Sequence, residues 1–319
     1  MKFVCLLLCF ALFFCAPASQ KESFPAPTEA VSPAIPARLE RDETGQPLLR
    51  IYIKKEAIAA KMPVETYLYG VVAGEMRSDW PAEALRAQAI LARTFVLKFV
   101  SEKESMYPDA DISTDIAEAQ AYDEAAIDAR IRAAVDSTRG MVLATRGGEL
   151  PYAWFHAHSG GTTALAREAL GWNKAEPAWT KVAPGLDSPD APPEAAAWEA
   201  SFTEEEFLAA CRQNGTNPDT INGLTVGEKG ESGRAVTLIV DGEAVNAASL
   251  RLALGSTVMR STLLTELRAE NGKVCMAGKG YGHGVGMPQW GAYALAQAGK
   301  KGEDIALHWF NGLHIATLW

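Results

Sequence analysis

The chain has 319 residues, 48% of them hydrophobic and 22% charged, with a formal net charge of −9. That length supports one large domain or two small ones, each with a real core, and the composition excludes collagenous, coiled-coil and globally disordered chains. The acidic balance argues against nucleic acid and anionic lipid as partners, so attraction to a polyanionic wall would have to be local.

At the start, Lys2 precedes an apolar run from Phe3 to Phe14, and Ala16-Pro17-Ala18 follows. The run is short for a bilayer span and the small residues suit cleavage, so residues 1–18 read as a secretory signal peptide. An uncleaved anchor is the second reading, with membrane contact only if the segment is retained. A lipoprotein at Cys15 is the third, disfavoured by the bulk of Phe13 and Phe14. The expected location is the cell envelope, periplasmic or extracellular. Cys5, Cys9 and Cys15 would leave with the signal. Cys211 and Cys275 remain, and export permits them to pair without bringing them together.

Residues 19–47 are rich in Pro, Ala, Ser and Glu without apolar periodicity, and read as a disordered linker. Residues 48–319 read as one folded domain. Leu49 to Ile53 alternates like a strand. A helix starts near Pro63 with Val64, Tyr67, Leu68, Val71 and Val72 on one face. Glu75 is the next position of that stripe. A second helix follows Ser78 or Asp79, either of which suits a cap, with Pro81 in its first turn. Its stripe is Leu85, Ala89, Ala92, Val96 and Phe99, interrupted by Gln88 and Arg93. Asp123 to Arg139 reads as a helix, Met141 to Ala144 and Tyr152 to Phe155 as strands. Residues 177–193 form a proline-rich loop, and Phe202 to Cys211 reads as a helix. Ala235 to Val240 is a strand before an Asp241-Gly242 turn, and Leu250 to Leu254 a short helix ended by Gly255. A helix from about Pro288 to Ala298 and a strand near His314 to Leu318 close the chain. Strands and helices mix without βαβ alternation. The expected fold is therefore α+β, with mostly antiparallel strands around a substrate cleft.

Three groups carry possible chemistry. In Gly278-Lys279-Gly280-Tyr281-Gly282-His283-Gly284-Val285-Gly286-Met287-Pro288-Gln289-Trp290-Gly291, glycine on alternate positions permits positive φ and close backbone approach. The spacing fits neither a dinucleotide fingerprint nor a phosphate loop. The aromatic, imidazole and amide groups suit sugar rings, and a tight structural turn suits the residues equally well. His156 and His158 have strand spacing, but no third ligand is near, so no metal and no cofactor is expected. Ser159 lacks a nucleophile elbow. Glu75 on an apolar stripe would be desolvated, raising its pKa toward that of a general acid. On residue types alone, a buried pair with Arg93 or Arg77 is slightly the better reading of Glu75.

Four motifs in order change that balance. Tyr67-Leu68-Tyr69-Gly70-Val71-Val72-Ala73-Gly74-Glu75-Met76, with Trp80-Pro81, Gln88-Ala89 and Ala92-Arg93-Thr94, resembles the opening signature of the stage II sporulation protein D/LytB family. Phe155-His156 with Ser159-Gly160-Gly161 and Thr163 resembles its middle motif. Leu250-Arg251 with Leu254-Gly255, Arg260-Ser261, and Gly280 to Met287 with Gln289 and Gly291-Ala292 resemble its end. The resemblance implies a lytic transglycosylase acting on peptidoglycan glycan strands stripped of stem peptides, with Glu75 as acid/base. On that reading Gln88, Arg93, His156, Ser159, Tyr281, His283 and Gln289 are the expected substrate-binding residues. Its LytB members are described as amidase enhancers, which leaves a wall-binding module that activates a partner amidase as the alternative. Two positions depart from the pattern: Pro288 replaces a serine, and Ala157-His158 replaces a small polar pair. A lytic transglycosylase needs one carboxyl group, whereas a hydrolytic glycosidase normally needs two, and the motifs offer one.

Overall fold

The computed structural model describes residues 30–319. The expected signal peptide and the first part of the linker lie outside the described residues. From 30 onward the linker reading fails. Ile35 and Leu39 are buried in the main core, the Leu48 amide donates to the Glu40 carbonyl at 2.8 Å, and Arg41 bridges to Pro47. Two apolar side chains at the right spacing anchor a segment whose composition alone looked solvated.

The chain then forms β1 (Leu48–Ile53), β2 (Ile58–Pro63), α1 (Val64–Glu75), α2 (Ala82–Glu102), β3 (Ile112–Ser113), α3 (Ala129–Asp136), β4 (Met141–Thr145) and β5 (Phe155–His156). Next come α4 (Ala166–Ala169), α5 (Pro193–Ala196), β6 (Ala197–Thr203), α6 (Glu204–Gln213), β7 (Leu224–Val226), β8 (Thr237–Val240), β9 (Glu243–Asn246) and α7 (Ala247–Ala253). The last are β10 (Leu264–Glu270), β11 (Lys273–Lys279), β12 (Met287–Pro288), α8 (Gln289–Gln297), α9 (Gly302–His308) and β13 (Leu313–Thr317). The fold is α+β, and most strand pairs are antiparallel; β1–β3 and β5–β12 are parallel.

Two cores organise these elements. The first buries α1 and α2 against β1, β4, α8, α9 and β13. Val64, Tyr67, Leu68, Val71 and Val72 are fully buried, as the stripe predicts. Each such side chain contributes about 1.5–3 kcal/mol when taken from water. The second core lies between β6, β8, β9, β11, α6 and α7, around Trp198, Phe202, Phe207, Leu238 and Val274. Ala164, Ala169 and Val285 form a small cluster of their own. The second core is thus inserted in the sequence of the first. The chain leaves the first core past β5 and returns at β12, and these two strands pair side by side.

Several elements differ from expectation. The helix read over Asp123 to Arg139 is only α3, because Asp128 caps it, accepting from the Arg130 and Ile131 amides. Helix α2 begins after Pro81 with no side-chain cap; Asp79 is engaged by Arg77 instead. The helix read from Phe202 starts two residues later, with Thr203 and Glu206 forming a capping box, and Phe202 belongs to β6. The β10–β11 hairpin turns at Asn271-Gly272, both at positive φ. Cys211 is buried and Cys275 half-buried, and both are free. Among the described residues no helix is long and apolar enough to cross a membrane.

Candidate active site

Glu75 is the last residue of α1, half-buried at the end of the apolar stripe. Gly74 explains how a neighbouring segment reaches it. A Cβ there would sit 2.7 Å from the Tyr122 amide nitrogen and 2.8 Å from the Ala121 carbonyl carbon, too close for any side chain. Without a side chain at 74, the backbone of 120–122 lies against the helix and the Ala121 amide donates to Glu75 Oε1 at 2.8 Å. From the other side, Gln289 opens α8, and its Nε2 donates to the Glu75 carbonyl at 3.2 Å and to Oε2 at 3.4 Å. Gln289 is held there by its neighbour Trp290, whose ring lies 4.5 Å from that of Trp80. Gln88 stands behind, fully buried, its Oε1 3.5 Å from Gln289 Nε2.

Neither arginine named as a possible partner reaches Glu75. Arg77 pairs with Asp79 at the surface. Arg93 is fully buried and makes a two-pronged ion pair with Glu65, Nε to Oε1 at 3.0 Å and Nη2 to Oε2 at 2.6 Å. Its remaining donor, Nη1, reaches the Met141 carbonyl at 2.9 Å. Burial raises the Glu75 pKa to about 7, opposed by the hydrogen bonds from Ala121 and Gln289, which favour the charged form. The negative end of the helix dipole at the last turn acts in the same direction as burial.

Two hollows meet at Glu75. One, of about 460 Å³, is lined by residues 73–79 and Ala126. The other, of about 390 Å³, is lined by Glu75, Gln289, His156, Tyr281, His283 and Gln120, with Phe95, Ile116, Ala119, Trp154 and Phe155 supplying an apolar wall. The glycine loop forms one side of the second hollow. Gly280, Gly282, Gly284 and Gly286 all have positive φ, and a Cβ at 282 would lie 2.7 Å from that of His156. The loop therefore presses Tyr281 and His283 against β5, as its alternation anticipates. His156 Nδ1 donates to the Val285 carbonyl at 3.2 Å, so its Nε2 carries the lone pair, and Nε2 has no partner among the described residues. The His283 ring centroid lies 5.6 Å from that of His156. Burial, then Arg251 and Arg234, depress His283 to about 3, and burial and the His283 ring hold His156 well below the usual histidine range. Both rings are neutral at physiological pH.

The structure separates the expected site residues into two groups. Glu75, His156, Tyr281, His283 and Gln289 line the groove, and Gln88 supports it from behind. Arg93 and Ser159 do not belong to it. Arg93 is consumed by Glu65. Ser159 Oγ donates to Asp187, and its carbonyl accepts from Arg234 Nη2 at 2.6 Å. His158 points to the same support: its Nδ1 accepts from the Gly160 amide at 3.0 Å, and Asp187 lies 3.5 Å away. Sequence reasoning missed Gln120, Ala121 and the buried Arg234, which lie in stretches with no periodic signal. Among the described residues, no group of three or more His, Cys, Asp or Glu side chains is placed to hold a metal ion.

Comparison with known proteins fits this assembly. A family model described as Stage II sporulation protein matches residues 52–144. An uncharacterized protein of Brachyspira hyodysenteriae is 31% identical over 263 residues, covering 81% of this chain and 68% of the relative. The Stage II sporulation protein D of Bacillus subtilis (strain 168) is 27% identical over 291 residues, covering 83% of this chain and 78% of the relative. The chain belongs to the stage II sporulation protein D family. Within this family, an Amidase enhancer of Bacillus subtilis (strain 168) is 27% identical over 296 residues, and this chain spans 40% of that larger relative. A second model, Domain of unknown function (DUF8618), matches residues 191–286. The sporulation-family match thus covers Glu75 and the second match the inserted core, including Tyr281 and His283. Gln289 lies outside both.

Proposed function

We propose that this protein is exported and cleaves the glycan strands of peptidoglycan as a lytic transglycosylase, with Glu75 as its general acid and base. The observation that carries the reading is a carboxyl group with no cationic partner among the described residues, at the junction of two hollows that together suit an extended polymer. A pKa of about 7 keeps both protonation states populated near neutrality. The neutral carboxyl gives its proton to the glycosidic oxygen as the bond to the muramoyl anomeric carbon breaks. The resulting carboxylate takes the proton of the muramoyl C6 hydroxyl, whose oxygen closes onto that carbon. The proton returns to Glu75 and no water is consumed. Asp79 is the other carboxylate at the hollows, and it is exposed and tied to Arg77. A single working carboxyl supports ring closure over hydrolysis.

The test is product analysis by mass spectrometry, with the full chain on glycan strands with and without stem peptides. Anhydromuramoyl ends, one water lighter than hydrolytic ends and more abundant on stripped strands, are expected. Reducing ends would move the reading to a muramidase. The relative named Amidase enhancer motivates a second reading, a wall-binding activator of a partner amidase. No cleavage together with stimulation of an amidase would select it.

A further inference from the structure

We infer that Arg234, a fully buried cation of the inserted segment, is a positioning residue for the groove: it clamps the turn after β5 and the glycine loop together, so that Tyr281 stays at the hollow it shares with Glu75. The inference rests on the reading of that groove as a glycan site and adds to it a residue that never touches the substrate.

The two clamped segments have little to hold themselves in shape. Gly160 and Gly161 in the turn, and Gly280, Gly282, Gly284 and Gly286 in the loop, all take positive φ. Glycine brings no side chain to pack and loses the most conformational freedom when ordered. The segments are tied at His158 and Tyr281, where the His158 amide donates to the Tyr281 carbonyl at 3.0 Å and the Tyr281 amide donates back at 2.8 Å. They are tied again where the Ala164 amide donates to the Gly284 carbonyl at 2.8 Å. Arg234 acts on the stretch between these ties. Its Nη2 donates to the Ser159 carbonyl at 2.6 Å and its Nη1 to the Thr162 carbonyl at 3.0 Å. From the loop, Gly284 rests against the same guanidinium, since a Cβ there would lie 2.4 Å from Arg234 Cζ. One planar fork thus meets both glycine-rich segments.

A fully buried cation is costly unless a carboxylate meets it. Arg93 takes that ordinary solution with Glu65. Arg234 makes no ion pair among the described residues; its acceptors are the two carbonyls, and its Nε has no partner there. Burial pulls its pKa down to about 10, opposed by the charges of Glu168 and Asp187, so it remains protonated near neutrality. The surroundings hold this placement from both sides. Glu168, 2% exposed, accepts from the Glu231 and Ser232 amides at 2.7 and 3.2 Å and from Ser232 Oγ at 2.6 Å. That fixes the turn that delivers Arg234. Asp187 accepts from the Ser159 amide at 2.9 Å and fixes the turn that receives it. The contacts of Glu75 come instead from Ala121 and Gln289. Loss of Arg234 should therefore disturb the binding wall more than the acid.

The experiment measures retention of the full-length chain by sacculi stripped of stem peptides with an amidase, in a sedimentation assay. All proteins carry Glu75→Gln, so that nothing is cleaved. Arg234→Met keeps an apolar stem and removes the fork. It is expected to weaken retention by about tenfold or more, since a remote change that misplaces a site by about 1 Å can cost 10²-fold. Arg234→Lys, a point charge in place of the planar fork, should recover only part of that loss. In a Tyr281→Ala background the same substitutions should add much less, because the wall they displace has already lost its contact. If Arg234→Met does not fold, the lysine variant carries the same comparison. With Glu75 restored, KM for stripped glycan should rise by a larger factor than kcat falls. An Arg234 that only supports the second core would lower Tm and leave retention per folded molecule unchanged. Retention equal to the parent's in every folded variant, losses that add in full to that of Tyr281→Ala, or a parent that the sacculi do not retain overturns the inference. Because binding is read without cleavage, Arg234-dependent retention by a protein that yields no anhydro product would sink the transglycosylase reading and leave the positioning role standing.

Discussion

Helix α1 carries a glutamate near each end, and the protein uses the two in opposite ways. Glu65, in the first turn, is buried with Arg93 and also accepts from the Gly140 amide at 3.0 Å. The carboxyl group there meets the N-terminal end of the helix dipole, a guanidinium fork and a backbone donor. Glu75, in the last turn, has the unfavourable end of the dipole, one amide, one long side-chain contact and no cation. The same residue type on one helix is tied into an ion pair at one end and left without a cation, its pKa raised to about 7, at the other. Burial of a carboxyl decides little by itself, and the identity of its partners decides the rest.

The strongest test of this contrast is Glu75→Gln. Loss of the acid/base should lower glycan cleavage by about 10²–10⁴-fold or more, measured as anhydro product per folded molecule, with the fold retained because glutamine is nearly isosteric. Wild-type turnover in that variant would remove the acid/base assignment. The other end of the helix should respond in stability and not in chemistry. Arg93→Ala strands Glu65 as an uncompensated buried charge and should cost about 3–5 kcal/mol, read from denaturant unfolding. Replacing Arg93 with Met and Glu65 with Leu together should recover much of that loss. If Arg93→Ala instead unfolds normally and weakens glycan binding, Arg93 belongs at the substrate after all.

A third comparison uses pH. The unfolded chain releases the Glu75 proton near 4.5 and the folded protein near 7. Between those values the native state binds more protons, so Glu75 makes stability fall as pH rises. Below pH 4 the carboxyl is neutral in both states and wild type and Glu75→Gln should be equally stable. By pH 8 the glutamine variant should be the more stable, by an amount on the order of 3 kcal/mol. A stability difference that does not change with pH would mean that Glu75 is not held away from its ordinary range. The smallest effect concerns Gly74→Ala. Alanine favours the helix by about 1 kcal/mol, but its Cβ must displace the 120–122 backbone, and overpacking costs about 1–3 kcal/mol. Tm should fall slightly. The alkaline limb of the pH–rate profile should move upward by less than about one pH unit, because the Ala121 donor that holds the Glu75 pKa down is lost.

How much of this was legible depends on whether a residue's role is local. The α1 stripe ending in Glu75, the alternating glycines and the Asp241-Gly242 turn are written in spacing, and each was readable. Arg93 looked like a substrate contact because it broke an apolar stripe. Its partner Glu65 lies on another helix, and nothing in the spacing links them. The partners of Ser159 were equally hidden, since Asp187 and Arg234 are distant in sequence. Gln120 sits in a stretch with no period, so only its unsatisfied amide in three dimensions singles it out. Phe202 was read as helix although it ends β6, because the strand runs directly into the Thr203 cap of α6 with no turn residues between them. The hairpin turn at Asn271-Gly272 did carry a usable signal.

The insertion of the second core into the first has a consequence for synthesis. Glu75 leaves the ribosome early, but Gln289, which completes its surroundings, lies 214 positions later. At about 5–20 residues per second, the acid emerges roughly 10–40 s before the amide that contacts it. Tyr281 and His283 arrive in the same late stretch, and β13, which pairs with β4, later still. A nascent chain therefore presents the Glu75 helix without a groove. Whatever activity the groove has begins only after the residues through Gln289 have been made.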